Sequence, residues 1–327
     1  MAYQAGDTIL DDEYNNFVAK SDSTFGYNVF AGTTAADSGN FDLGLGQTNI
    51  TTVSAGDTIT AAQWNSLFTG ITNIANHTND TLTSATAVSV GDAIAIKAAL
   101  IADLGTLRTS IQGGCANAVA GLTTTGTLQT GTSSSTWYGS FTSTFTITFS
   151  NAAQMRYFFN AGGKIRVSGA RTGNGATGGG ATSKDSNWTQ LYTDLGNITI
   201  ASKESTRSGT GATETSGLAN GFHDLSTGET TIIRLTEDSS PYTANYIDVT
   251  AQLNAAVGTA TEITVRVKSI DGAADDTYTA GNTAGVDATP DRNGTHQHYL
   301  VTINPNTTDG LGTAYTPSLT AVSAATT

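Results

Sequence analysis

A helix-starting unit occurs twice, with a worn third copy, in the first third of the chain. Ala5-Gly6-Asp7-Thr8-Ile9 leads through Asp12-Glu13-Tyr14-Asn15, and Ala55-Gly56-Asp57-Thr58-Ile59 leads through Ala62-Gln63-Trp64-Asn65. The step from Ile to the aromatic is the same in both, and Asn follows the aromatic each time. In the second copy Thr60 falls at the N-cap and Gln63 three residues on, a capping box, while Ile59 and Trp64 are spaced as a hydrophobic staple. The first copy offers Glu13 and an Ile9–Tyr14 staple, with Asp11 as a later cap because Leu10 stands where Thr60 does. The third reads Gly91-Asp92-Ala93-Ile94 and lacks the aromatic. Apolar stripes at helical spacing follow: Tyr14, Phe17, Val18; Trp64, Leu67, Phe68, Ile71; and Leu100, Leu104, Leu107, Ile111. Each helix is too short to stand without a neighbour over its stripe. Three small helices are therefore expected to pack on one another or on a partner subunit. No titratable or nucleophilic centre is attached to the unit, which reads as building material. Its structural anchors are Ile9, Tyr14, Ile59, Thr60, Gln63 and Trp64, joined further along by Trp137 and Trp188.

Residues 116–136, rich in Thr, Ser and Gly, read as a linker. After it the period changes to two. Phe141, Phe145, Ile147 and Phe149 alternate with Thr142, Thr144, Thr146 and Thr148, which marks a strand. A short helix is expected over 151–160, capped by Ser150 or Asn151 and stopped by Gly162-Gly163. Ile165 and Val167 mark another strand, 169–186 a Gly-rich loop, and a helix starts at Asn187 with Trp188, Leu191, Tyr192 and Leu195 on one face. Strands follow at 231–235, 246–250, 262–268 and 298–303. The fold class is α+β: a small N-terminal helical repeat region (1–115) and the linker precede a mixed α/β segment (137–205) and a mainly antiparallel, sandwich-like β domain (206–310). In the C-terminal tail, 311–327, the final sixteen residues carry little pattern and are expected to be disordered unless a partner holds them.

Only 13% of the residues are charged and 37 of 327 are Gly, so the surface is solubilised by hydroxyls and amides. This suits exposed strands and turns, and is typical of extracellular β-rich proteins and virus fibres rather than cytosolic enzymes. A formal charge of −13 argues against nucleic acid or an anionic membrane as partner. Cys115 is the single cysteine, so no internal disulfide forms. Met1 runs straight into the first unit with no signal peptide, and no apolar stretch approaches membrane-spanning length. Synthesis in a cytoplasm followed by assembly into a particle reconciles these features.

The paired units, with Gly44-Leu45-Gly46-Gln47 between them, resemble virion structural proteins of tailed phages, especially fibre- or tail-associated proteins of phages of cyanobacteria and other marine bacteria. Leu45 stands where that group usually has Tyr. The run Met155-Arg156-Tyr157-Phe158-Phe159-Asn160-Ala161-Gly162-Gly163-Lys164-Ile165-Arg166-Val167-Ser168, then Asn187-Trp188 and Leu191, carries the same resemblance, as do Gly221-Phe222-His223-Asp224-Leu225 and Pro241-Tyr242-Thr243-Ala244-Asn245. It covers most of the chain from residue 3 to about 272. The resemblance implies a particle component and does not fix its place on the particle. The reading built on it is a non-enzymatic virion protein, made in the host cytoplasm, that forms homo-oligomers, trimers or else a sixfold ring, and binds other virion proteins to attach a fibre. A collar or head-decoration protein, an adhesin recognising host surface glycan, and a polysaccharide depolymerase are the competing readings. No cofactor and no catalytic residue is implied.

The sharpest candidate for chemistry is His296 and His298, which flank Gln297 at the head of a strand and leave the same face. Around a threefold axis three copies would offer six imidazoles, an octahedral set for a transition metal; otherwise they are two solvated polar residues. Trimeric phage fibres and spikes use such rings. Asp271, Asp275, Asp276, Asp287 and Asp291 read as solvated loop acids or a calcium site without EF-hand spacing. Gly173-Asn174-Gly175 and Gly178-Gly179-Gly180 lack the Lys-Ser/Thr of a phosphate cradle. No Gly-x-Ser-x-Gly elbow or His-Glu-x-x-His is present. Cys115 reads as a small buried residue near a helix end. Trp137-Tyr138, Trp188–Tyr192 and Tyr157-Phe158-Phe159 read as core or interface packing rather than sugar platforms.

Overall fold

A computed structural model describes residues 11–19, 26–33, 41–84, 89, 97–116, 123–124, 126–133, 137, 139–172, 183–273, 277–280, 283–286, 294–306, 311, 315 and 317–327. The fold is α+β, with two mostly antiparallel sheets. The chain divides into two compact units: 1–123 with 151–163 and 304–316, and 124–150 with 164–303 and 317–327.

The first unit holds α1 (Asp11–Ala19), α2 (Tyr27–Phe30), α3 (Ala61–Thr78), α4 (Lys97–Gln112) and α5 (Ala152–Asn160). Local signals set the ends of α3. Thr60 Oγ1 accepts from Gln63 N at 3.3 Å while Thr60 N donates to Gln63 Oε1 at 2.8 Å, the capping box expected from the sequence. Asn79 closes the helix in the left-handed region (φ 61°). Asn151 caps α5 by accepting from Gln154 N at 2.9 Å. All three apolar stripes are buried within the chain, α3 packing on α2 and α4 and α1 on α2. They therefore do not call for a partner subunit, and an oligomer inferred from uncovered stripes loses that ground. Cys115 follows α4, buried, its thiol pKa pushed up mainly by desolvation.

The second unit carries the sheets. Its strands are β1 (Thr123–Thr124), β2 (Gln129–Thr132), β3 (Ser140–Thr148), β4 (Lys164–Thr172), β5 (Ile198–Ile200), β6 (Ser205–Arg207), β7 (Thr213–Ser216), β8 (Thr230–Thr236), β9 (Tyr246–Leu253), β10 (Glu262–Ile270), the separate hairpin β11 (Thr277–Ala280) and β12 (Thr283–Val286), β13 (Thr295–Asn304) and β14 (Ser318–Thr326). One sheet runs β1-β13-β4-β5-β6 with β2 also on β13; the other runs β14-β3-β10-β9-β8-β7. Phe141, Phe145, Ile147, Ile263, Val265, Val267, Ile247 and Val249 alternate inward and are fully buried, the period-two pattern of a half-buried sheet. Helix α6 (Ser183–Leu195) packs on β4 and reaches β8.

Four expected boundaries change. No domain division falls at 205/206, because β3 pairs in register with β10 (Phe145↔Val265) and β4 with β13 (Val167↔Leu300). The expected linker contributes β1 and β2. Helix α6 starts at Ser183, ahead of Asn187, with the buried Asp185 of its first turn ion-paired to Arg171 of β4. The tail is not unstructured in its described part: Leu311 and Tyr315 are buried, and β14 pairs with β3.

Candidate functional site

Two side-chain constellations stand out, one in each unit. In the first unit the repeat aromatics meet: Tyr14 and Trp64 lie edge to face at 5.4 Å, and Tyr14 Oη donates to Gln63 O at 3.3 Å. Phe17 and Phe68 also flank the indole. Burial pushes the Tyr14 pKa up to about 12. Ile59 is half-buried, and Ile9 lies outside the described residues. The Asn that follows the aromatic has a definite task. Asn15 Nδ2 donates to Val53 O at 2.8 Å while Val53 N donates to Asn15 Oδ1 at 2.9 Å. Asn28, after Tyr27, repeats the clasp on Ile50 at 2.9 and 2.7 Å. Each amide stands in for one rung of a strand ladder, satisfying a buried-side backbone donor and acceptor at once.

The Gly-Leu-Gly-Gln stretch and α5 form the rest of this constellation. Asn160 Nδ2 lies within hydrogen-bond reach of three carbonyls, Phe41 O, Leu43 O and Gly44 O, at 3.0–3.2 Å. Gly46 (φ 67°) lies flat on the Tyr157 ring, where a Cβ would stand 2.6 Å from the ring carbons. Tyr157 Oη donates to Thr33 O, Tyr315 Oη donates to Leu45 O, and Gln47 Nε2 donates to Tyr315 Oη at 3.1 Å. His77 Nε2 contacts Ala161 O at 2.8 Å. The residues of the Gly-Leu-Gly-Gln stretch and of α5 therefore hold one another.

In the second unit His296 and His298 are both fully buried. They do not form a surface ring available to a threefold axis, nor are they solvated: β13 is an interior strand, and its inward face takes the imidazoles into the unit's own core. His298 sits in a row between Gly131 of β2 and Gly169 of β4. The missing side chains make room. A Cβ on Gly131 would stand 2.1 Å from Ser143 Oγ, and one on Gly169 2.3 Å from the Tyr192 ring. Ser143 and Tyr192 fill those spaces and bond the imidazole: His298 Nδ1 lies 3.0 Å from Ser143 Oγ, and His298 Nε2 3.0 Å from both Tyr192 Oη and Ser269 Oγ. Tyr192 Oη also lies 3.0 Å from His296 Nδ1 and 2.6 Å from Ser269 Oγ. Trp137 and Trp188, both expected anchors, are 5.6 Å apart and close over His296 at 4.8 and 5.0 Å.

With both imidazoles neutral, the network is satisfied if Tyr192 donates to His296 Nδ1, Ser269 to Tyr192 Oη, His298 Nε2–H to Ser269 and Ser143 to His298 Nδ1, and equally if every donor and acceptor in that chain is reversed. Burial, and secondarily the neighbouring His296, hold the His298 pKa well below its ordinary value; burial pushes that of Tyr192 up. The cluster is a buried hydrogen-bonded core. Among the described residues no group of three or more His, Cys, Asp or Glu is placed to share a metal. Asp275, Asp276, Asp287, Asp291, Tyr138 and the glycines 173–180 lie outside the described residues.

The Asn15 clasp falls on the Asn that follows the first repeat aromatic, whereas Asn28, after Tyr27, lies outside the repeats and had no signal. Tyr192 was legible only as a packing residue of its helix face, and Ser143 and Ser269 had no signal, since the three come from distant segments. Comparison with known protein families, curated proteins and solved structures gives no match.

Proposed function

We propose that this chain is a non-enzymatic structural protein of a tailed-phage particle, associated with the fibre, tail or neck, that oligomerises and attaches a fibre. One observation carries the reading. The motif residues with the means to do chemistry or bind sugar (Tyr14, Trp64, Tyr157, Asn160, Trp137, Trp188, His296, His298) are spent on internal packing and backbone clasps. A chain that invests its motifs in rigidity fits a load-bearing role. The resemblance of the repeat units, the Gly-Leu-Gly-Gln stretch, the 155–168 run and Asn187-Trp188 to phage virion proteins supplies the particle, and a trimer is the oligomer proposed.

The test is direct. Purified particles should contain the chain in stoichiometric amount, and labelled chain should localise by cryo-EM to the tail, neck or fibre base. Absence from particles, together with a monomeric mass at high concentration, would refute the proposal. Release of reducing sugar from host envelopes by the purified chain would favour the depolymerase instead.

A further inference from the structure

Arg156 lies on α5 one turn before Asn160, is 7% exposed, and its Nε has no hydrogen-bond partner among the described residues. Arg171, Arg207, Arg234, Arg266 and Lys268 each reach a carboxylate; among the described residues Arg156 reaches none, Asp42 on the neighbouring segment included, and Arg108 and Arg166 each also carry a buried nitrogen without a hydrogen-bond partner. Scarcity does not explain this, because acids outnumber bases 27 to 14. Its compensating contact is the Tyr157 ring, 5.1 Å from the guanidinium carbon. An aromatic face returns only part of what desolvating a cation costs.

The surroundings of the guanidinium are fixed. A Cβ on Gly44 (φ 91°) would stand 3.5 Å from Arg156 Nη2, so the residue beside that nitrogen presents backbone and no side chain. Asn160, on the next turn, holds the carbonyls of Phe41, Leu43 and Gly44. A planar fork of donors held against a rigid wall matches an oxyanion in two-point contact.

We propose that Arg156 receives an oxyanion beside Gly44. Two sources share that chemistry: free inorganic phosphate, and a carboxylate side chain from a second copy of this chain. Thermal unfolding of the full chain, as wild type and as Arg156→Gln, in sodium phosphate and in sodium chloride at matched ionic strength separates them. If phosphate is the ligand, it raises the wild-type Tm saturably and leaves R156Q unmoved. If the ligand is a neighbour's carboxylate, no phosphate-specific rise occurs, and sedimentation velocity shows concentration-dependent association weakened at least about tenfold in R156Q. Under either source, dilute R156Q in chloride melts no lower than wild type, because an uncompensated buried charge has been removed. A wild type with neither response overturns the proposal, whatever the Tm of the variant. So does an R156Q that responds as wild type does. A variant melting well below wild type in dilute chloride also overturns it, since the guanidinium is then a packing element of the fold.

Discussion

Acidification should loosen the second unit through His298. Its pKa is depressed in the folded chain by burial and by His296, so below the ordinary value of 6.5 the unfolded chain binds a proton that the folded chain refuses. Stability is therefore full above about pH 6.5 and falls as pH drops through that value, until the depressed folded pKa is reached. With one such site the loss is about 1.4 kcal/mol at pH 5.5 and about 2 kcal/mol at pH 5. The titratable and charged groups around it are His296 on β13, Tyr192 on α6 and, beyond Tyr192, the Arg171–Asp185 pair. Tyr192 is held neutral throughout this range by its raised pKa. The assay is urea unfolding from pH 8 to pH 5, followed by the emission of Trp137 and Trp188, which close over His296. His298→Asn should be less stable than wild type at pH 8 but lose less on acidification, the gap between the two narrowing by about 2 kcal/mol at pH 5. Parallel pH profiles for the two proteins would show that His298 is not kept neutral, and the reasoning would be wrong.

Three further outcomes are expected. Asn15→Ala removes both bonds of one clasp and leaves Val53 unsatisfied, which should cost about 1–3 kcal/mol in urea unfolding followed by Trp64 emission. Gly169→Ala should destabilise the second unit by about 1–3 kcal/mol, because the new methyl collides with Tyr192. Thr60→Ala should cost about 1 kcal/mol by opening the capping box, and Thr60→Ser should recover most of it.

How much of this was legible follows from distance along the chain. The capping box at Thr60 and Gln63 and the three apolar stripes are local, written within a few residues, and the helices appear where the pattern puts them. The alternating strands β3 and β10 were legible for the same reason. The partners of His298 come from β3, α6 and β10, and no spacing rule joins Ser143, Tyr192 and Ser269. Strand β14 was illegible for another reason. A bulge between Leu319 and Ala321 places Leu319 opposite Ile147 and Val322 opposite Phe145, so the inward residues are three apart and the period of two is broken. The same irregularity in β8 buries both Ile232 and Ile233.

Strand β3 has its two neighbours, β10 and β14, far downstream, and Thr327 closes on Ser140. During translation Phe141, Phe145 and Ile147 emerge long before anything exists to cover them. Such non-local closure is slow and leaves greasy strand edges waiting. A ribosome-stalled or truncated product ending before β10 should therefore clump, and β3 gains its second neighbour only once β14 has been made.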